Sequence, residues 1–169
     1  MMNYHQMMIK DLQDLYQAEI EQARQLPQLA SEATDQALRT VLEDHANETQ
    51  QQILRLRQIL EMISVTPGGE GEVSPGVQGL VSEAHKKGEQ TPDPILRDLA
   101  LIAAAQKVEH YEIACYGTAR AMAHTAGLDE AARLLQTTLT EEEAADRRLT
   151  EVAMPLHKQA AENDPTIPH

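Results

Sequence analysis

The sequence predicts an all-α chain folded as an antiparallel four-helix bundle, with one long crossover between its second and third helices. Three observations carry that expectation. Alanine, leucine, glutamine and glutamate dominate, β-branched residues are few, and phenylalanine and tryptophan are absent, a composition that favours helix over sheet. Apolar residues recur at helical spacing in four long segments. The joints between segments one and two, and between three and four, are a few residues long, whereas about 30 residues separate two from three, enough to cross the length of a bundle. With aromatics at 2% the core must be aliphatic, so the four tyrosines are conspicuous. A chain of 169 residues suits one domain able to bury a real core; the domain is expected over residues 1–162, with 163–169 as a frayed tail.

The first helix is expected over residues 3–29, with Leu12, Leu15, Ala23 and Leu26 on one stripe and Pro27 kinking or ending it. The second is expected over 35–63, turning Leu38, Leu42, Leu56, Ile59 and Leu60 inward. "SVTPGGEGEVSPG" is rich in Gly and Pro and reads as irregular. A short helix over 77–87 follows, closed by Gly88. "QTPDP" leads into the third long helix, 94–125, with Pro94 suited to its first turn and Gly127 breaking it. The fourth is expected over 129–162, with Asp129 as N-cap and a kink at Pro155.

Fourteen basic against 27 acidic residues give a net charge of −13, which argues against nucleic acid or an anionic membrane surface as partner and suits cations. No stretch approaches the roughly 20 apolar residues of a membrane span. The start, "MMNYHQMMIKDL", lacks the basic flank and apolar run of a signal peptide, so the cytoplasm is the expected compartment. One cysteine excludes an internal disulfide framework and a CxxC knuckle; Cys115 reads as a small buried hydrophobe.

Extending each apolar stripe brings acidic side chains inward. Leu12, Leu15, Tyr16, Glu19, Ala23 and Leu26 place Glu19 among core residues. In the second helix His45 and Glu48 fall between Leu42 and Leu56. In the third, Ile102, Gln106, Glu109, Ile113 and Tyr116 make Glu109 interior, and Glu112 borders that face. In the fourth, Leu135, Leu139, Glu142, Asp146 and Leu149 carry Glu142 and Asp146 inward, while Glu141, Glu143, Arg147 and Arg148 read as a solvated charge run. His110 lies one step off its stripe. Six carboxylates and one imidazole would thus converge near mid-bundle. Buried charges of one sign are very costly unless neutralised, and basic residues on these stripes are too few to pair them. Two divalent ions would neutralise most of the charge, with Glu19, His45, Glu48, Glu109, Glu142 and Asp146 as ligands and Glu112 as a seventh or a hydrogen-bonded neighbour.

The stretches "YQAEIEQ", "HANETQQQILRL", "QGLVSEA", "DLALIAAAQKVEHYEIACYGTARAMA" and "LLQTTLTEEEAADRRLTEVA" resemble, in order and over nearly the whole chain, the bacterial YciE/YciF stress-associated ferritin-like proteins. The resemblance implies a ferritin-like homodimer with a dinuclear metal site and no established reaction. The wider di-iron carboxylate group uses one Glu from each of two helices and a Glu-x-x-His from each of the others. Glu19 and Glu109 match the single glutamates; His45-x-x-Glu48 reverses the order, and Glu142 is followed by Asp146 rather than a histidine. Such an oxygen-rich set admits manganese, magnesium or calcium beside iron, the expected metal. The first reading is a di-metal protein that reduces peroxide or O2 in a stress response, with an external redox partner since one cysteine cannot build a rubredoxin centre. A non-catalytic stress or interaction protein with a structural metal, and an iron store, are the alternatives.

Overall fold

The computed structural model describes residues 1–67 and 75–167; part of the predicted irregular "SVTPGGEGEVSPG" segment lies outside them. Five helices follow in order: α1 Tyr4–Glu32, α2 Gln36–Met62, α3 Pro75–Glu89, α4 Pro94–Thr125 and α5 Asp129–Asn163. No strand occurs among the described residues.

Local chemistry sets most boundaries. Asn3 and Gln6 form a reciprocal capping box at the start of α1. Asp35 and Asp93 each cap the next helix, accepting from Leu38 N and Leu96 N at 2.9 Å, and Pro94 begins α4 where no N–H is needed. Gly127, at φ 74°, closes α4 as Leu128 N donates to Ala123 O at 2.9 Å. Ser64 takes the equivalent left-handed position after α2, φ 57°, with Val65 N bonded to Leu60 O. A serine pays a steric penalty there that glycine avoids. Ser64→Gly should therefore raise stability by about 0.5–1 kcal/mol, read as a higher urea midpoint at unchanged slope.

Three boundaries differ from the sequence expectation. Helix α1 continues through Pro27 to Glu32. A mid-helix proline costs about 3 kcal/mol, but the turn beyond it buries Ala30, which packs with Leu26, Ala33, Leu38 and Leu42. Helix α3 runs past Gly88. Leu128, not Asp129, is the N-cap of α5 and makes no side-chain cap bond, because Leu128 is already fixed by the α4 closure. Helix α5 runs through Pro155, as its expected span did.

The long helices form a ring in which α1 touches α2 and α4, and α5 touches α2 and α4. The three residues between α1 and α2, and between α4 and α5, force antiparallel hairpins. Asp98, near the start of α4, is 1% exposed and binds the α1–α2 turn: it accepts from Thr34 N at 2.9 Å, Asp35 N at 2.7 Å and the Thr34 hydroxyl. The first turn of α4 therefore sits beside the end of α1 and the start of α2, so the α2–α4 connection must travel the length of the bundle. This is the ferritin-like connectivity, and α3, carried by that connection, packs on α4. Asp98→Ala would leave two backbone N–H groups unpaired. It should lower unfolding stability by about 2–3 kcal/mol, a loss visible in chemical denaturation.

The core is layered. One apolar cluster, including Leu12, Leu15, Leu56, Leu60, Tyr116 and Leu135, fills the end holding the α4–α5 turn. A second, including Leu26, Leu38, Leu42, Leu101, Ile102 and Leu149, fills the opposite end. Between them lies a buried polar layer: Glu19, Gln22, His45, Thr49, Gln52, Glu109, Glu112, Thr138 and Glu142.

Candidate metal centre

Each long helix delivers side chains to this layer where its apolar stripe is interrupted. Glu19 comes from α1, His45 from α2, Glu109 and Glu112 from α4, and Glu142 from α5; the glutamates are 0% and the histidine 2% exposed. His45 Nε2 points inward, 3.1 Å from Glu109 Oε1 and 3.6 Å from Glu142 Oε2. Ligand-type atoms close into two groups, His45–Glu109–Glu142 and Glu19–Glu112–Glu142, with the atoms in each group within 4.8 Å of one another. Glu142 belongs to both.

Two neighbours orient the second group. Gln22 Nε2 donates to Glu112 Oε2 at 2.8 Å, and the Tyr116 hydroxyl donates to Glu19 Oε1. Beyond these and the close approaches of His45 to Glu109 and Glu142, hydrogen-bond partners are missing. Glu19 Oε2, Glu112 Oε1, both oxygens of Glu109 and of Glu142, and both ring nitrogens of His45 are buried without a hydrogen bond. Buried polar atoms are nearly always satisfied, and these unsatisfied oxygens and nitrogens lie close enough together that they could hold metal ions. No lysine or arginine is among the buried polar residues of the layer.

The electrostatics follow from the packing. Burial, partly offset by the Tyr116 hydrogen bond, lifts Glu19 to about 7. Burial and then the neighbouring carboxylates push Glu112 and Glu142 well above the ordinary range. Burial opposes the charge of His45, yet Glu109 and Glu48 together raise it to about 10. Burial likewise opposes ionisation of Glu109, and the His45 charge overcomes it, holding that carboxyl below its usual value. A metal-free layer thus balances itself with one internal ion pair and shared protons.

The remaining expected ligands sit at the rim. Glu48 lies 3.5 Å from His45 Nδ1 on the outer side and accepts from Arg148 at 2.7 Å, both side chains about one-third exposed. Asp146 accepts from Gln106 at 3.0 Å and lies 3.5 Å from exposed His110. Neither belongs to the two groups. Two members of the expected solvated run are also engaged: Arg148 with Glu48, and Glu141 with Arg55 at 2.5 Å. Glu143 and Arg147 are exposed as expected. Stripe reading passed over Gln22 in favour of Ala23, although Gln22 is three residues from Glu19 and four from Leu26, the spacing of a shared face. Tyr116 fills the core, fully buried, and also holds Glu19.

An antiparallel bundle with one long crossover and a carboxylate–imidazole layer between two apolar clusters is a ferritin-like fold with the makings of a metal centre. The chain belongs to the DUF892 family, described as a domain of unknown function, whose model matches residues 3–162. It is 41% identical over 152 residues to Protein YciF of Escherichia coli K12, covering 90% of this chain and 91% of that protein. Its structure matches that of the E. coli stress protein YciF with a TM-score of 0.88 at 38% identity, covering 94% of this chain and 99% of the other. YcfI from Rhodopseudomonas palustris matches with a TM-score of 0.84 at 38% identity over 88% of this chain and 94% of the other. A protein from Xanthomonas campestris pv. campestris shares the fold at 22% identity, with a TM-score of 0.73 over 95% and 97%. No described helix is long and apolar enough to cross a membrane.

Proposed function

We propose that this chain binds two divalent metal ions, iron foremost, in its central polar layer and uses them to reduce peroxide or O2 as part of a stress response. The observation that carries the reading is the set of orphaned oxygen and nitrogen atoms forming two groups joined at Glu142. The donor set fits: two dications balance the four carboxylates Glu19, Glu109, Glu112 and Glu142 beside a neutral His45. Relatedness to a protein described as a stress protein supports the setting.

Bound iron would supply the electrons that peroxide reduction requires, two per molecule. The chain's own residues do the rest. The apolar clusters on either side exclude bulk water from the layer. Tyr116 and Gln22 each fix one carboxylate by one oxygen and leave the other oxygen free. Glu48, held by Arg148, lies 3.5 Å from His45 Nδ1 and favours the ring orientation that turns Nε2 inward. An external donor would restore the electrons, because one cysteine cannot build a rubredoxin relay within the chain.

The test is anaerobic loading with iron(II), then mixing with hydrogen peroxide while near-ultraviolet absorbance reports iron oxidation. Two iron(II) ions oxidised per peroxide, faster than for iron(II) in buffer and lost in Glu142→Gln, is the expected result. Oxidation no faster than in buffer would contradict the redox role.

A further inference from the structure

The two groups share Glu142 yet differ in donor chemistry, and we infer that they select different ions: His45–Glu109–Glu142 a borderline transition-metal dication, Glu19–Glu112–Glu142 a hard, oxygen-seeking one. This inference rests on the dinuclear reading above and adds selectivity to it. His45 is the one imidazole that reaches the layer among the described side chains; His110 and His124, on α4 with Glu109, have side chains 68% and 78% exposed. The nitrogen is therefore confined to one position, and its Nε2 lies 3.1 Å from Glu109 Oε1.

The supporting hydrogen bonds deepen the asymmetry. Glu109 accepts no hydrogen bond from a residue outside the two groups, whereas Glu19 and Glu112 each accept one at a single oxygen, from Tyr116 and Gln22. A hydrogen bond to a carboxylate draws electron density from it, so in the second position Glu19 and Glu112 each offer one weakened oxygen beside the shared Glu142. Imidazole favours later first-row ions such as cobalt, nickel and zinc, while carboxylate and water suit manganese and magnesium. The second position, with few free oxygens, suits an ion that keeps waters in its shell. The first position should fill first with the borderline ion, leaving the second to the hard one.

The experiment gives metal-free protein one equivalent of cobalt(II) and an excess of manganese(II), followed by desalting and elemental analysis, with cobalt absorbance and manganese paramagnetic resonance as readouts. One cobalt and one manganese per chain are expected. His45→Gln should weaken cobalt retention by about tenfold or more while keeping a manganese ion, and Glu19→Gln should do the reverse. If His45→Gln fails to fold, the Glu19→Gln chain decides alone, because it must lose manganese and keep cobalt. Two ions held without preference, or Glu19→Gln losing cobalt as readily as manganese, would overturn the selectivity and leave the dinuclear reading standing. A chain that retains neither ion would overturn both.

Discussion

Adding two equivalents of manganese(II), or of iron(II) without oxygen, should raise the thermal midpoint of the metal-free protein by on the order of 10 °C. An ion that binds only the folded chain stabilises it by about 2.7 kcal/mol when its free concentration is a hundredfold above its dissociation constant. Two such ions contribute about 5 kcal/mol, and each kcal/mol moves the midpoint of a domain this size by roughly 2–4 °C. The unfolded chain has no comparable site, since the five candidate ligands come from four helices far apart in sequence. Glu142→Gln should abolish most of the rise, because Glu142 serves both groups. Glu48→Gln and Asp146→Asn should keep most of it, because both side chains lie at the rim. Differential scanning calorimetry of the four chains, with and without metal, checks the ranking; a rise that survives Glu142→Gln would place the ions elsewhere.

Without metal, the same protein should become less stable as pH rises from 5 to 9. Glu19 binds its proton more tightly folded, at about 7, than at the ordinary 4.5, and Glu112 and Glu142 are shifted the same way. Their protonated forms favour folding, so that contribution is complete below about 4.5 and is lost as pH rises through the folded values. His45, raised from 6.5 to about 10, acts in the same sense: its contribution is complete below its unfolded value and lost toward pH 10. Glu109 and Glu48 are shifted downward, so their contribution is present above about 4.5 and lost in stronger acid. The midpoint should therefore peak near pH 5. The Glu19 shift alone corresponds to about 3 kcal/mol, so the fall from the peak to pH 9 should reach on the order of 10 °C. Glu112→Gln should flatten the slope and raise the metal-free midpoint at pH 8, because the amide fills similar space without a charge to bury. With metal bound, protons compete with the ions and stability should instead drop toward acid. Thermal melts followed by circular dichroism across this range, with chelator and with metal, measure both slopes; a flat metal-free profile would mean that the carboxylates are hydrated.

The sequence carried the architecture well because its signals were local or additive. Periodicity marked the long helices, Asp35 and Pro94 marked two starts, Gly127 marked a stop, and the length of the second connection implied the crossover. Glu19, His45, Glu109, Glu112 and Glu142 were legible as members of the layer because each interrupts a stripe at matching depth. Glu48 and Asp146 show where that reasoning loses resolution. Three residues on a helix turn about 300° and four about 400°, so Glu48 and Asp146 fall some 60° and 40° from His45 and Glu142. Which of two such neighbours enters the core depends on how the helix is rotated against its partners, and that is set by packing across the bundle. Gln22 was hidden because the apolar Ala23, about 100° away, made the plainer stripe. Arg148 and Glu141 read as solvated because their partners, Glu48 and Arg55, stand on α2, 100 and 86 residues away. Pro27 was over-weighted because its local penalty was visible and the tertiary burial of Ala30 was not.

The most direct test of the central claim is elemental analysis of the protein purified without added metal, paired with equilibrium titration of the chelator-treated chain and of Glu142→Gln. The account predicts close to two divalent ions per parent chain at saturation, and a loss of most metal from the Glu142→Gln chain while its helical circular dichroism stays unchanged. A parent chain that comes with no metal, takes up none on titration and melts at the same temperature with or without it would contradict the account.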